Sequence, residues 1–450
     1  MPTPNLLLTA PIGGQLTKMA GPMALGIIAI QTFNLVDIFF IGLLGTDALA
    51  AISFTFPVTF VVLSLAMGLG AGLSACVGQA LGRDNHQQAA LFTSHSLLLT
   101  VGLICLISVL GALTIDPLFR LLGATDALLL LLHDYMWIWY LTVPLLVLPL
   151  VANSAIRATG DTRTPSLVMI VAGLVNGILD PLLIFGLGPF PELGIKGAAI
   201  ASACSWLMAC SVGLWLLWRR ERLLVWPLQQ PQRILAHWRQ LLHVALPACF
   251  TNLLNPLSTA ILMMILAGLG TEMVAAYGAA SRIEAMLLIG IMALGSVLAP
   301  FISQNTGAGL HDRSRRALLQ SMRFALWLQL ALFVLLWLSA PWLAQRFTDN
   351  NEVSQHLTFY LRIVPLSYGL QGCFMLLASA LNGLRVSSIS LGLNSLRLFG
   401  ILLPLAWLGN LWRGEQGVFI GILVANILAG LIAGGFAWWR FPWKIKRPTN

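Results

Sequence analysis

LGTDALAAI, residues 44–52, and LGTEMVAAY, residues 269–277, carry the same framework 225 residues apart. A recurrence at this distance in a 450-residue chain means that one half is built on the plan of the other. Working outward, Pro22 is matched by Pro247, and Gln79 and Gly82 by Gln304 and Gly307. With small changes of loop length, Pro144 pairs with Pro365, SAIRATG (154–160) with SALNGLR (379–385), and NGILDPL (176–182) with FGILLPL (399–405).

The material between these markers is apolar. Hydrophobic residues make up 58% of the chain and charged residues 9%, and the apolar runs repeatedly approach the roughly 20 residues that a helix needs to cross about 30 Å of hydrocarbon. Lipid offers no partner to backbone N–H and C=O groups, so such runs must be helices, and they are too long for barrel strands. The fold class expected is all-α: a polytopic membrane protein of twelve transmembrane helices, over 20–44, 52–80, 88–114, 128–156, 165–187, 197–218, 241–269, 273–306, 317–343, 357–382, 386–408 and 417–440. Six is an even number, so both halves enter the membrane in the same direction and form pseudo-symmetric six-helix bundles related by an axis along its normal. The bundles are expected at 1–218 and 241–450, joined by a basic, Gln- and Pro-containing connector at 219–240. A cleft between such bundles can open alternately to each side as they rock.

The formal charge of +9 is distributed by topology. Arg219, Arg220, Arg222, Arg233, Arg239, Arg313, Arg315, Arg316, Lys444, Lys446 and Arg447 crowd beside helix ends on one side, with Arg120, Lys196, Arg346 and Arg413 on the other. That asymmetry is the positive-inside pattern; it places both termini and the connector in the cytosol of a bacterial inner membrane and argues against a nucleic-acid partner. Cys76, Cys105, Cys204, Cys210, Cys249 and Cys373 lie in apolar spans without ligand-like spacing, so no disulfide framework or metal centre is indicated. The first apolar run has polar residues in its middle and reads as a retained helix, not a signal peptide.

The repeat is most informative where it breaks. Asp37 in helix 1 aligns with Leu262, and Asp180 in helix 5 with Leu403. A carboxylate inside a membrane helix costs about 2.5–3.5 kcal/mol on insertion scales and commonly marks an ion pathway. Asn34 precedes Asp37 by three residues and Asn176 precedes Asp180 by four, which puts an amide on the same helical face as each acid. No Lys or Arg stands at comparable depth in the first six spans, and both acids fall in the outer halves of helices that begin in the cytosol. Two such carboxylates cannot both stay charged cheaply, so one should take a proton or the pair a hard cation. The competing reading is a structural hydrogen bond or ion pair within the first bundle.

Pro22, with Gly26 one turn later, is expected to bend helix 1, either as a static kink that Pro247 repeats or as a moving part. In the second half Arg282 and Glu284 are two apart and do not share a face; with Arg362 and Arg397 they are expected to pair structurally with neighbours or to line the cleft. Tyr135, Asn153 and Ser202, each taken alone, read as helix-packing hydrogen bonds. GLGAG (68–72) lies within an apolar helix, where small residues let helices approach, and is not a phosphate loop. The seven histidines show no metal-ligand spacing. No enzyme motif rises above chance.

VGQALGRDN (77–85), RATGDTRTP (157–165), NGILDPLLIFGLG (176–188) and GIKGAAIAS (194–202), at these spacings in a duplicated chain, resemble the multidrug and toxic compound extrusion (MATE) transporters, and within them the DNA-damage-inducible F-like branch. The resemblance implies a V-shaped pair of bundles that exports amphipathic, often cationic drug-like compounds in exchange for H⁺ or Na⁺, as a monomer and with no cofactor beyond the transported ion. It implies cation coupling by Asp37, Asp180, Asn176 and Ser202, the last a hydroxyl where the family often has threonine. Substrate binding by Asn34, Tyr135, Asn153, Asn176 and Asp180 is expected beside it. Asp37 and Asp180 would be metal ligands only with Na⁺ as the coupling ion, and the few oxygen ligands favour H⁺. A second branch carries acids in helices 7 and 10; Asn252 and Asn255 stand in helix 7 here, leaving Glu284 as the candidate in that half. The alternative is a flippase for lipid-linked oligosaccharide or lipid, which is expected to line its cleft with several cationic residues for a phosphate; the first half lacks such a lining, so an anionic cargo fits that half poorly. A membrane-embedded enzyme is the rival from another class.

Overall fold

The computed structural model describes residues 6–226 and 230–439; Lys444, Lys446 and Arg447, and residues 227–229 of the connector, lie outside the described residues. The described residues are helical throughout their ordered elements, with no strand among them. In chain order, and after a short helix Leu6–Thr9, they form α1 (Ile12–Gly42), α2 (Thr46–Gly82), α3 (His86–Leu113), α4 (Asp126–Thr159), α5 (Arg163–Ile184), α6 (Ile195–Trp215) and α7 (Ile234–Ala267). Next come α8, in the pieces Thr271–Leu287 and Ile289–Gly307, and α9 (His311–Phe347). The last three helices are each irregular. α10 runs through Asn351–Ile363, a 3-10 turn Val364–Ser367 and Tyr368–Gly383. α11 starts as Ser387–Ser395, widens into a π-helical turn at Leu396–Leu402 and continues to 412. Arg413 and Gly414 then leave helical geometry, and α12 occupies 415–439. Among the described residues, eleven stretches are long and apolar enough to span a membrane, the last being Ser387–Trp438. At 1.5 Å per residue its 52 residues would exceed one bilayer more than twofold, and the break at Arg413–Gly414 divides it into the twelfth helix.

The LGT repeat has a backbone cause. Gly45 and Gly270 adopt φ values of 117° and 133°, which an L side chain rarely tolerates. The acid two residues later, Asp47 or Glu272, falls in the first turn of the next helix, where its charge opposes the positive end of the helix dipole.

By packing, the chain forms two compact units, Gly21–Cys249 and Met1–Ala20 with Phe250–Asn450. The repeat places the halves at 1–218 and 241–450, so packing and duplication divide the chain differently. α1 changes unit beside Pro22 and α7 beside Pro247, and α1 is continuous through Pro22. Close backbone approach explains the allegiance of the first part of α7. A Cβ added to Gly68 would lie 2.6 Å from the Ala245 carbonyl oxygen, and one on Gly72 would lie 2.9 Å from that of Leu241, so the glycines of GLGAG admit α7 against α2. The N-terminal residues are tied to the other unit in the same local manner: Asn305 Nδ2 donates to the Leu7 carbonyl at 3.1 Å.

Candidate functional site

α5 supplies the centre of the site. Asn176 and Asp180 are one turn apart, and Asn176 Nδ2 donates to Asp180 Oδ1 at 3.1 Å. The same amide reaches Ser202 Oγ on α6 at 3.4 Å. The two helices can close to that distance because residue 197 is glycine: a Cβ there would sit 2.4 Å from the Leu183 carbonyl oxygen. Pro181, next to the acid, has no N–H for the carbonyl of Gly177 one turn back. Asp180 is wholly buried.

Asp37 comes from α1 and is half-buried. Its carboxyl faces that of Asp180 within hydrogen-bonding reach. Asp37 Oδ1 and Asp180 Oδ2 are both buried without a donor, and the two observations agree: facing carboxylate oxygens have only acceptors to offer one another, and a proton or cation between them would satisfy both. Tyr135 of α4 is buried within electrostatic reach of both acids. Thus Asp37, Asp180, Asn176, Ser202 and Tyr135, drawn from α1, α4, α5 and α6, converge on one place.

Asn34 and Pro22 do not join them. Asn34 is exposed and makes no hydrogen bond to either carboxylate; three residues before Asp37 puts it on the same broad face of α1, yet turned outward. Asn153 is buried with its Oδ1 unpartnered. Pro22 is half-buried, about four turns before Asp37 on α1.

The second unit contains a polar network in which residue spacing shows only one member, Glu284. Tyr360 donates to Glu284 Oε2 at 3.2 Å and Gln371 Nε2 to Oε1 at 2.9 Å. Tyr360 and Tyr368 hydroxyls stand 3.3 Å apart, and Asn426 Nδ2 donates to Gln371 Oε1 and Ser367 Oγ, each at 3.2 Å. Neither Arg282 nor Arg397 pairs with the acid. Arg362 lies over the Trp337 ring and Arg397 over that of Phe374. A residue two positions away in sequence is on another helical face, whereas α10 brings the neutral donors Tyr360 and Gln371 to Glu284, and Asn426 of α12 bonds Gln371 behind them.

Among the described residues, no group of three or more His, Cys, Asp or Glu is placed to hold a metal ion. The donors around the acid pair are one amide, one hydroxyl and one phenol, which suit a proton or a single monovalent cation better than a multiply charged one.

Comparison with known proteins gives a consistent set of matches. The MatE family model matches residues 22–182 and again 247–408, one match for each half of the repeat. A Shewanella oneidensis protein named FAD transporter is 47% identical over 425 residues, 94% of each chain. The Bacillus subtilis probable multidrug resistance protein YoeA is 26% identical over 420 residues, 90% of this chain and 89% of its own. The crystal structure of the Vibrio cholerae MATE transporter VcmN in the bent form matches with a TM-score of 0.91 at 33% identity, over 95% of this chain and 96% of that one.

Proposed function

This chain belongs to the MatE family of membrane transporters, and we propose that it moves small organic molecules out of the cell in exchange for a cation, with FAD or a similar flavin dinucleotide as cargo. The facing carboxyls of Asp37 and Asp180 carry the coupling reading. A proton entering between them removes a charge and replaces two unsatisfied acceptors with a hydrogen bond, so it binds best in the arrangement of α1 and α5 that holds the acids together. An arrangement that separates them releases it. The change of charge biases the packing of α1, whose early Pro22 lacks one backbone hydrogen bond and lies where the helix passes from one packing unit to the other. Na⁺ is the weaker candidate because few oxygens surround the pair. The positions of the acids, in the first half only, favour the DNA-damage-inducible F-like branch. The Lys and Arg distribution supports a bacterial inner membrane with both termini cytosolic, and a single chain suffices for the acid site.

The cargo reading rests on the Shewanella relative, whose identity to this chain is far above that of the relatives named for multidrug resistance. Amphipathic cationic drugs are the second reading, supported by those more distant names and by the absence of Lys and Arg from the acid site. The deciding experiment uses proteoliposomes with pH and Na⁺ gradients imposed separately, scored for movement of FAD and of a fluorescent cationic dye. FAD moving against a pH gradient is the expected result. Transport indifferent to both gradients would overturn the coupling, and dye transport without FAD transport would overturn the cargo.

A further inference from the structure

Arg397 is a charged group within a membrane helix for which the fold supplies no ion-pair partner. It lies in α11, within the π-helical turn Leu396–Leu402; the aligned stretch of the first half lies in the regular helix α5, where Leu174 occupies the matching position. A widened turn of this kind is uncommon and recurs at functional positions. Pro404 follows two residues after it, and the extra room relieves the clash of its ring with the carbonyl one turn back. The repeated proline in α5, Pro181, is accommodated without any such turn.

The guanidinium sits with its central carbon 5.2 Å from the centroid of the buried Phe374 ring on α10. Its Nε is buried and donates to nothing. Among the described residues, no carboxylate lies within 4.0 Å of it. The acid that acts on it electrostatically is Glu284, and both Glu284 oxygens already accept from Tyr360 and Gln371. A permanent charge in a membrane helix is costly and points to a ligand or an ion path unless it is paired. A half-buried guanidinium with one face on an aromatic ring and a free Nε–H presents the planar fork that matches phosphate oxygens.

We propose that Arg397, backed by Phe374, is the anion-recognition point of this transporter and binds the pyrophosphate of a flavin dinucleotide. The proposal rests on the FAD reading of the cargo and deepens it. FAD joins two aromatic ring systems through two phosphates, and the acid site of the first unit, with carboxylates and no adjacent cation, has nothing to offer those phosphates. The second unit supplies the opposite sign at a position the duplication left as leucine in the first.

Binding by the purified full-length protein in lipid nanodiscs tests it, read by flavin fluorescence with FAD and with riboflavin, which has the same ring system and no phosphate, and with inorganic pyrophosphate as competitor. The wild type should bind FAD more tightly than riboflavin and release it to pyrophosphate. Arg397→Gln should weaken FAD binding about ten- to a hundredfold, the range for losing a charge-assisted contact. Riboflavin affinity should fall far less, and pyrophosphate should no longer compete. Arg397→Lys, which keeps the charge and loses the fork, should fall between. Equal losses for FAD and riboflavin would mean a packing role and overturn the proposal, as would wild-type FAD affinity in Arg397→Gln. A wild-type protein that exports cationic dye and neither binds nor moves FAD would overturn the cargo reading itself, and this inference with it.

Discussion

Set side by side, the two units repeat several close contacts at glycine and share almost none of their polar chemistry. In the first, a Cβ on Gly70 would meet Ser154 Oγ at 2.6 Å, and in the second one on Gly295 would meet Ser379 Oγ at 3.1 Å. Gly197 lies against the Leu183 carbonyl and Gly421 against that of Leu405, where added Cβ atoms would stand 2.4 and 2.3 Å from oxygen. Helices in lipid gain little from burying apolar surface, so close approach through small residues holds the bundle together, and both copies need the same small residues in the same places. Asp37 and Asp180 have no such duty, and the second copy has leucine instead. Glu284, with neutral donors on both oxygens, and Arg397, whose Nε finds no acceptor, have taken the second unit elsewhere. The shared glycines are the framework, and the unshared charges are where function has been added.

The sharpest way to break this comparison is to neutralise, one at a time, the two acids of the first unit. Asp180→Asn and Asp37→Asn keep size and polarity and cannot release a proton, so each should lower gradient-driven export at least about a hundredfold, with insertion and expression at wild-type level. Proteoliposome flux measures this. Normal export from either variant would show that the polar contrast between units does not carry coupling.

Next in size are the framework contacts. Gly197→Ala and Gly421→Ala each push a methyl into a backbone carbonyl that cannot rotate away, and should lower stability by about 1–3 kcal/mol. Thermal unfolding in detergent should show similar losses for the two. A loss in one unit alone would mean that the duplicated contact is not the common support it is taken to be here. Glu284→Gln should cost less, about 1 kcal/mol, because the amide retains one acceptor and turns the other position into a donor facing donors. Export by this variant should remain within about tenfold of wild type; a collapse like that of Asp180→Asn would make the second unit a partner in coupling.

The smallest effect expected is outside the membrane spans. Arg220 bonds Asp161 at 2.9 Å and Thr164 at 2.7 Å, with Glu221 beside it at 3.5 Å. Burial raises Glu221 above its ordinary 4.5, a hydrogen bond from Thr159 and the charge of Arg220 opposing the shift. The folded chain therefore holds this proton more tightly than the unfolded chain, and stability falls as pH rises from about 4.5 through the raised value. Melting temperature should decline by roughly a few degrees at most across that window, and the decline should flatten in Glu221→Gln. An identical slope in the variant would remove Glu221 from the account.

The acid site was readable to the extent that it is local. Asn176 and Asp180 are one turn apart on a single helix, so their hydrogen bond follows from spacing, and Asp37 is exposed by the leucine in its repeat partner. Tyr135 and Ser202 entered only through the family resemblance, since a lone polar residue on another helix has no spacing to betray it. Asn34 shows the limit of the same rule: three residues from Asp37 leaves a wide arc, and packing turned it outward. Nothing local announces that His95 and His237, 142 residues apart, meet through their Nδ1 atoms at 2.8 Å in the interior, or that Tyr360 and Gln371 supply the partners of Glu284.

Helix class, duplication and the confinement of Asp37 and Asp180 to one half were therefore settled along the chain, because apolar length, repeat offset and helical periodicity are properties of neighbours in sequence. Which side chains from different helices meet was decided by packing. That depends on where glycine lets two backbones close to contact, on a π-helical turn beside Pro404 that re-aims Arg397, and on a helix that passes between packing units at Pro22. Each is a contact or a rotation set by the whole bundle, and no window of neighbouring residues contains it.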